Sequence, residues 1–306
     1  MFFGSIVAAI TPFKQGKIDF YAFGRVIEHL IQGGSHGILV GGTTGEGTLL
    51  SFAEREELLK VAIHTASGRV PIIAGCSAAS TYESLNLVDQ AELMGCSAAL
   101  VTAPCYVKPT QMGIIQHFNH IYAHTTLPII IYNNPGRIAV DISVETVLEL
   151  AKIPTVVALK DSHPDLTRIF RVKSAIEWLR QKGTLPKTKP FSILSGDSPF
   201  FAASLALGAD GCISVTANAY PALSAKLYHT WKQREIEAFE SIRDQLSPLD
   251  DLICVEVNPT PIKYMMYKLG LCENEFRLPL LPIARGSEVL IDEAMEKLSN
   301  NYEVAA

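Results

Sequence analysis

Three short stretches of this 306-residue chain carry residue types that could do chemistry together. The first ends in Lys160, after the apolar run Thr155-Val156-Val157-Ala158-Leu159. Strand alternation places Val156, Ala158 and Lys160 on one face and Val157 and Leu159 on the other. If the first face lines an apolar interior, desolvation lowers the amine's pKa. A neutral lysine can then attack a ketone and form a Schiff base. The run also fits a lysine whose stem lies on apolar surface with its ammonium in water. The second stretch is Ile131-Tyr132, followed by Asn133-Asn134-Pro135-Gly136-Arg137. A phenol beside Lys160 can shuttle protons while a carbinolamine forms and dehydrates. A core aromatic with a wetted hydroxyl is the plainer reading. The planar guanidinium of Arg137 suits a substrate carboxylate and equally a surface ion pair. The third stretch is Gly41-Gly42-Thr43-Thr44-Gly45-Glu46-Gly47. Its glycines let backbone N–H groups approach a ligand closely. It lacks the Gly-Lys-Ser/Thr of a P-loop, so carboxylate binding fits as well as phosphate binding. A tight turn would also explain the glycines.

These stretches need elements to hold them. Short apolar runs recur at Ile6–Ile10, Gly37–Val40, Pro71–Ala74, Ala98–Val101, Pro128–Ile131, Thr155–Leu159, Phe191–Leu194 and Gly211–Val215. Most show no strict polar alternation, which is how parallel strands buried on both faces read. Helical patterns lie between them. Ser51 with Glu54 forms a capping box, and further helices begin near Ser80 and Ser143. Eight βα repeats predict an α/β fold, the (β/α)8 TIM barrel, with a doubly wound open sheet as runner-up. The expected division is a barrel over residues 1–220, then its eighth helix and a helical C-terminal extension over 221–306. Helical patterns in that last part cover Ala222–Gln233, Glu235–Leu246 and Pro261–Leu269. In such a barrel the C-terminal ends of the strands carry the active site. The three stretches, together with Ser195-Gly196-Asp197 and Ser214-Val215-Thr216, would then converge on one rim.

Composition narrows the function classes. Hydrophobic residues make up 48% and charged residues 19% of the chain, which excludes a disordered protein and suggests apolar surface buried between subunits. The net charge of −5, without a Lys/Arg-rich run, argues against a nucleic-acid partner. No apolar stretch reaches the roughly 18 residues of a membrane span. The N-terminus has no basic signal-peptide region. The six cysteines form no Cys-x-x-Cys and read as reduced thiols of a cytoplasmic protein. The histidines offer no metal-ligand spacing. His117 and His120, an i, i+3 pair on a helix, read as a solvated face.

The motifs Gly42-Thr43-Thr44-Gly45-Glu46, Tyr132-Asn133-x-Pro135-x-Arg137 and Lys160-Asp161 resemble those of the dihydrodipicolinate synthase family, within the N-acetylneuraminate lyase superfamily of Schiff-base aldolases. The resemblance runs from about Gly4 to Leu271 and takes in Asn258-Pro259-x-Pro261-x-Lys263. It implies that Lys160 forms a Schiff base with pyruvate and that Tyr132 relays protons. It implies that Thr43 hydrogen-bonds Tyr132 and links it to Tyr106, which reaches a neighbouring subunit's site in family tetramers. Thr44 would hold the pyruvate carboxylate, and Arg137 the carboxylate of aspartate β-semialdehyde. Gly196 and Ile213 would supply backbone contacts. The implied product is the precursor of lysine and diaminopimelate, made without cofactor or metal by a cytoplasmic homotetramer.

Two departures stand out. Lysine-inhibited members use an asparagine, a histidine and a second aromatic at a subunit interface. The matching positions here are Ala79, Arg55 and Cys105, and only Glu83 is retained. Weak or absent inhibition by lysine is the expectation. Ser162-His163-Pro164 is also an unusual loop for the family. The rival readings are a relative acting on a sugar-derived 2-keto acid and a non-catalytic binding relative. Thr43 together with Arg137 favours the synthase over the first, and the intact Lys160, Tyr132 and Thr43 set argues against the second.

Overall fold

Eight parallel strands close into a barrel in a computed structural model that describes residues 1–301. The strands are β1 (Gly4–Ala8), β2 (Gly37–Val40), β3 (Ile72–Gly75), β4 (Ala98–Thr102), β5 (Ile129–Asn133), β6 (Val156–Asp161), β7 (Ser192–Ser195) and β8 (Gly211–Ser214). Each pairs with its sequence neighbour, and β1 closes the ring on β8 from Gly4↔Gly211 to Val7↔Ser214. A helix follows each strand: α1 (Phe20–Gln32), α2 (Phe52–Ala66), α3 (Thr81–Leu93), α4 (Gln111–Tyr122), α5 (Val144–Leu150), α6 (Thr167–Gln181), α7 (Phe201–Ala206) and α8 (Pro221–Gln233). This is the (β/α)8 TIM barrel that the apolar runs predict. The helix starts also agree. Ser51, Ser80 and Ser143 each accept a hydrogen bond from the backbone N–H three residues on, and Glu54 completes the capping box on Ser51.

Two apolar layers result. Ile6, Ala8, Leu39, Ile73, Ala98, Leu100, Ile130, Tyr132, Ala158, Leu194 and Ile213 fill the barrel lumen. The alternate strand residues pack outward against the helices. Val156 is a correction to the alternation argument. It lies in the outer layer with Ile129 and Leu159, while Ala158 lies in the lumen. The cause is a register shift: Ile129 pairs with Val156, but Ile130 pairs with Ala158. One extra residue on β6 flips every side chain before it to the other face. Lys160 is on the far side of that shift and stays in phase with Ala158.

His117 is the second correction. It is buried, with Nδ1 2.9 Å from Thr81 Oγ1 and Nε2 3.2 Å from the Thr102 carbonyl. Burial pushes its imidazole down to about 4. The helix turns this residue inward against β4, so the pair with His120 is not a solvated face.

After α8 the chain adds α9 (Ile236–Leu252), α10 (Thr260–Lys268) and α11 (Arg285–Asn301). α9 packs on α8 and α11, and α10 packs on α11. The apolar runs did not reveal α11, nor the hairpin of Phe13–Lys14 and Lys17–Ile18 after β1. Residues 302–306, the end of the expected 221–306 segment, lie outside the described residues. Among the described residues no helix is long and apolar enough to cross a membrane.

Candidate active site

Lys160 and Tyr132 are register partners on adjacent strands near the C-terminal end of the lumen. Both are buried, and Lys160 Nζ lies 4.3 Å from the centre of the Tyr132 ring. Below them the lumen is mostly aliphatic, while the Tyr132 ring lines the cleft at the mouth. The Tyr132 hydroxyl accepts a hydrogen bond from Asn134 Nδ2 at 2.7 Å. Thr43, the partner that the resemblance implied, makes no hydrogen bond to it here. Asn134 follows β5 directly, two residues past Tyr132, and is the nearest amide on that strand end.

Asp161, next to Lys160, faces the opposite way into a polar cluster. Its carboxylate accepts from Arg168 Nε at 3.0 Å and from Asn133 Nδ2 at 2.9 Å. Asn133 is likewise buried, and its Oδ1 accepts from the Ile142 N–H at 3.0 Å. The two strand ends that carry the candidate nucleophile and proton relay are therefore pinned from behind.

The Gly41–Gly47 turn covers one side of the mouth. A Cβ on Gly47 would lie 1.9 Å from the Gly41 carbonyl oxygen, and one on Gly75 would lie 2.4 Å from the same atom. Only glycine lets these three backbones touch. Arg55, buried on α2, donates to the Gly75 carbonyl at 2.7 Å and to the Gly47 carbonyl. Within the turn, the Glu46 N–H donates to the Thr43 carbonyl at 3.0 Å. Thr43 is half-buried at the mouth. Thr44 is buried, and its Oγ1 accepts from Asn258 Nδ2 at 3.2 Å.

Arg137 is exposed on a single helical turn, Pro135–Ile138, and donates to the Asn258 carbonyl at 3.3 Å. Asn258 thus touches both Thr44 and Arg137. Its motif was visible in the sequence, but a contact across 214 residues was not. Asp197, in the Ser195-Gly196-Asp197 motif, is a further charged group close to the site. Burial raises its carboxyl above the ordinary range, and Lys160 and Arg137 are near enough for their charges to oppose the rise. Gly196 packs so tightly on β6 that a Cβ there would meet Ser162 Oγ at 2.0 Å. Its N–H donates to the Asp161 carbonyl at 2.8 Å. Ile213 presents its side chain to the lumen beside Leu194. Tyr106 stands apart at 93% exposure, with φ of 70°, outside the cleft.

A cleft of about 740 Å³ opens over this constellation, lined by Thr43, Tyr132, Asn134, Arg137 and Asn258 among others. That volume suits a pair of small metabolites. The lining offers a phenol, a guanidinium, an amide and hydroxyl groups, and the Lys160 amine lies against the ring of the lining Tyr132. Among the described residues no group of three His, Cys, Asp or Glu is placed to hold a metal ion.

The model of the dihydrodipicolinate synthetase family matches residues 1–297. The chain belongs to this family. It is 41% identical over 297 residues to a 4-hydroxy-tetrahydrodipicolinate synthase of Rhodospirillum centenum, covering 97% of this chain and 98% of that one. Solved structures agree. The dihydrodipicolinate synthase of Aquifex aeolicus superposes with a TM-score of 0.90 at 38% identity, covering 97% of this chain and 98% of that one. That of Thermotoga maritima gives 0.92 at 34% identity, covering 98% and 99%. The four positions that the resemblance set against those of lysine-inhibited members line the same cleft. Ala79 and Glu83 are exposed there, Cys105 is half-buried, and the Arg55 guanidinium is turned inward to backbone carbonyls.

Proposed function

We propose that this chain is a lyase that condenses pyruvate with aspartate β-semialdehyde to 4-hydroxy-tetrahydrodipicolinate, in lysine and diaminopimelate biosynthesis. One observation carries the reading: Lys160 and Tyr132 face each other at the top of an apolar lumen, under a cleft edged by Thr43 and Arg137. The Lys160 amine adds to the keto carbon of pyruvate. Water leaves with a proton supplied through Tyr132, giving an iminium ion. Loss of a methyl proton gives the enamine, whose carbon attacks the aldehyde. The product's amine then displaces Lys160 as the ring closes, so the lysine is regenerated and no cofactor is consumed.

Thr44 and its neighbouring N–H groups hold the pyruvate carboxylate in this reading, and Arg137 holds the carboxylate of the aldehyde. Thr43 and Tyr106 extend the proton path, and Gly196 and Ile213 line the pyruvate pocket. Tyr106 and Val107 are exposed at 93% and 66%, which supports a second copy covering them. We read the assembly as a homotetramer. Residues 1–220 form the barrel part, and 221–306 the eighth helix and extension. Six cysteines without a disulfide fit the cytoplasm.

A coupled assay offering pyruvate with aspartate β-semialdehyde, against a panel of sugar-derived 2-keto acids, tests the substrate. Turnover of the first pair alone is expected. Cleavage of a sugar acid in preference to it would assign the chain to another branch of the superfamily.

A further inference from the structure

Glu46 occupies a left-handed conformation, φ 53°, which is unfavourable for a residue with a Cβ. It is held there by groups from the far end of the chain. Its Oε1 accepts from Lys263 Nζ of α10 at 2.5 Å, and its Oε2 accepts from the Arg277 N–H at 3.1 Å. Both side chains of the Glu46–Lys263 pair have no exposed surface. The Lys263 ammonium lies 4.2 Å from the centre of the Phe13 ring and 4.7 Å from that of Phe276, so it has no route to water. The Arg277 guanidinium pairs with Glu54 at the start of α2 and donates to the Leu49 carbonyl at 3.1 Å. The Glu46 N–H closes the turn onto the Thr43 carbonyl, so a shift of Glu46 is passed directly to Thr43 and Thr44.

We propose that Glu46 and Lys263, backed by Arg277, act as a strut through which the C-terminal extension sets the Thr43-Thr44 turn for pyruvate. They are positioning residues that touch no substrate. A buried ion pair is a poor source of net stability, because desolvation offsets its attraction. What it does supply here is a defined geometry, since moving either group would leave the other charge buried and unpaired. The pair adjoins the turn assigned to the pyruvate carboxylate, with Arg55 holding the Gly47 and Gly75 carbonyls and Lys263 supplied by the C-terminal extension. The inference rests on the assignment of that turn to pyruvate.

The test compares full-length wild type, Lys263→Met and the double variant Glu46→Gln/Lys263→Met. Thermal unfolding, KM for each substrate and the pyruvate dependence of borohydride trapping are measured. Lys263→Met leaves an unpaired buried carboxylate and should lower Tm. The double variant leaves no unpaired ion and should recover Tm. In both, pyruvate KM should rise by about tenfold or more while the aldehyde KM stays within about twofold, the scale of one lost bond to a charged group. A purely structural pair would behave otherwise: the double variant would regain normal pyruvate KM along with its Tm, and that result overturns the proposal. So does a folded variant with unchanged pyruvate KM. If Lys263→Met does not fold, the double variant decides alone. Failure of the wild type to trap pyruvate would instead sink the functional reading.

Discussion

Tyr132 and Lys160 lie side by side on paired strands, with the lysine Nζ 4.3 Å from the ring centre and the phenol oxygen bonded to Asn134. On the proposed mechanism the ring and the hydroxyl do separable jobs: one packs against the amine, the other would move protons. Tyr132→Phe keeps the packing and removes the relay. It should unfold at nearly the wild-type temperature while kcat falls by about 10²–10⁴-fold. Steady-state rates beside a melting curve check this. A phenylalanine variant with normal kcat would remove Tyr132 from the proton path.

Arg137 lies on a different loop from the Thr43-Thr44 turn and donates to the Asn258 carbonyl at 3.3 Å. Arg137→Ala should lower kcat/KM for the aldehyde by about 10–100-fold, as expected for one lost charge-assisted pair. Trapping of pyruvate on the enzyme should be unaffected. Equal losses in both half-reactions would contradict the assignment.

Much of this was legible in the chain. Strands buried on both faces leave apolar runs, and serine caps mark helix starts, so eight βα units could be counted. The chemistry-bearing residues fall at strand ends, where the fold gathers them. Other features were hidden for physical reasons. The inward-facing assignment of Val156 failed because a bulge is a property of two paired strands, and alternation along one strand cannot reveal it. His117 looked solvated because an i, i+3 spacing does not say which way a helix faces. The Thr44–Asn258 and Glu46–Lys263 contacts span 214 and 217 residues and exist only after the extension packs on the barrel.

His117 also predicts a pH dependence. Its folded pKa is about 4, below the ordinary 6.5, because burial disfavours the charged ring. Between those values the unfolded chain binds more protons than the folded one, so stability falls as pH drops from 6.5 toward 4. The contribution is up to ~3 kcal/mol. His117→Gln keeps a hydrogen-bonding side chain and removes the titration. Denaturant unfolding from pH 7 to 4 should show a shallower loss in the variant. Parallel curves would place the proton uptake elsewhere.

Lysine should inhibit weakly or not at all. Ala79 offers no side-chain donor or acceptor, Cys105 no phenol, and Arg55 is committed to the Gly47 and Gly75 carbonyls. Glu83 is left as the one matching acceptor. Two missing bonds to charged groups, at ~1.5–3 kcal/mol each, weaken binding by more than about a hundredfold. Initial rates at saturating pyruvate with lysine titrated decide it. Half-inhibition below about a millimolar, near 4 kcal/mol of binding, would mean that other residues serve the ligand.

The central claim is that Lys160 is the amine that takes pyruvate. Borohydride reduction in the presence of pyruvate, followed by mass spectrometry of the intact chain and its peptides, tests it most directly. Wild type should gain one reduced pyruvate adduct, on the peptide containing Lys160, and Lys160→Ala should fold cooperatively and gain none. An adduct that persists in Lys160→Ala, or maps to another lysine in the wild type, would contradict the account.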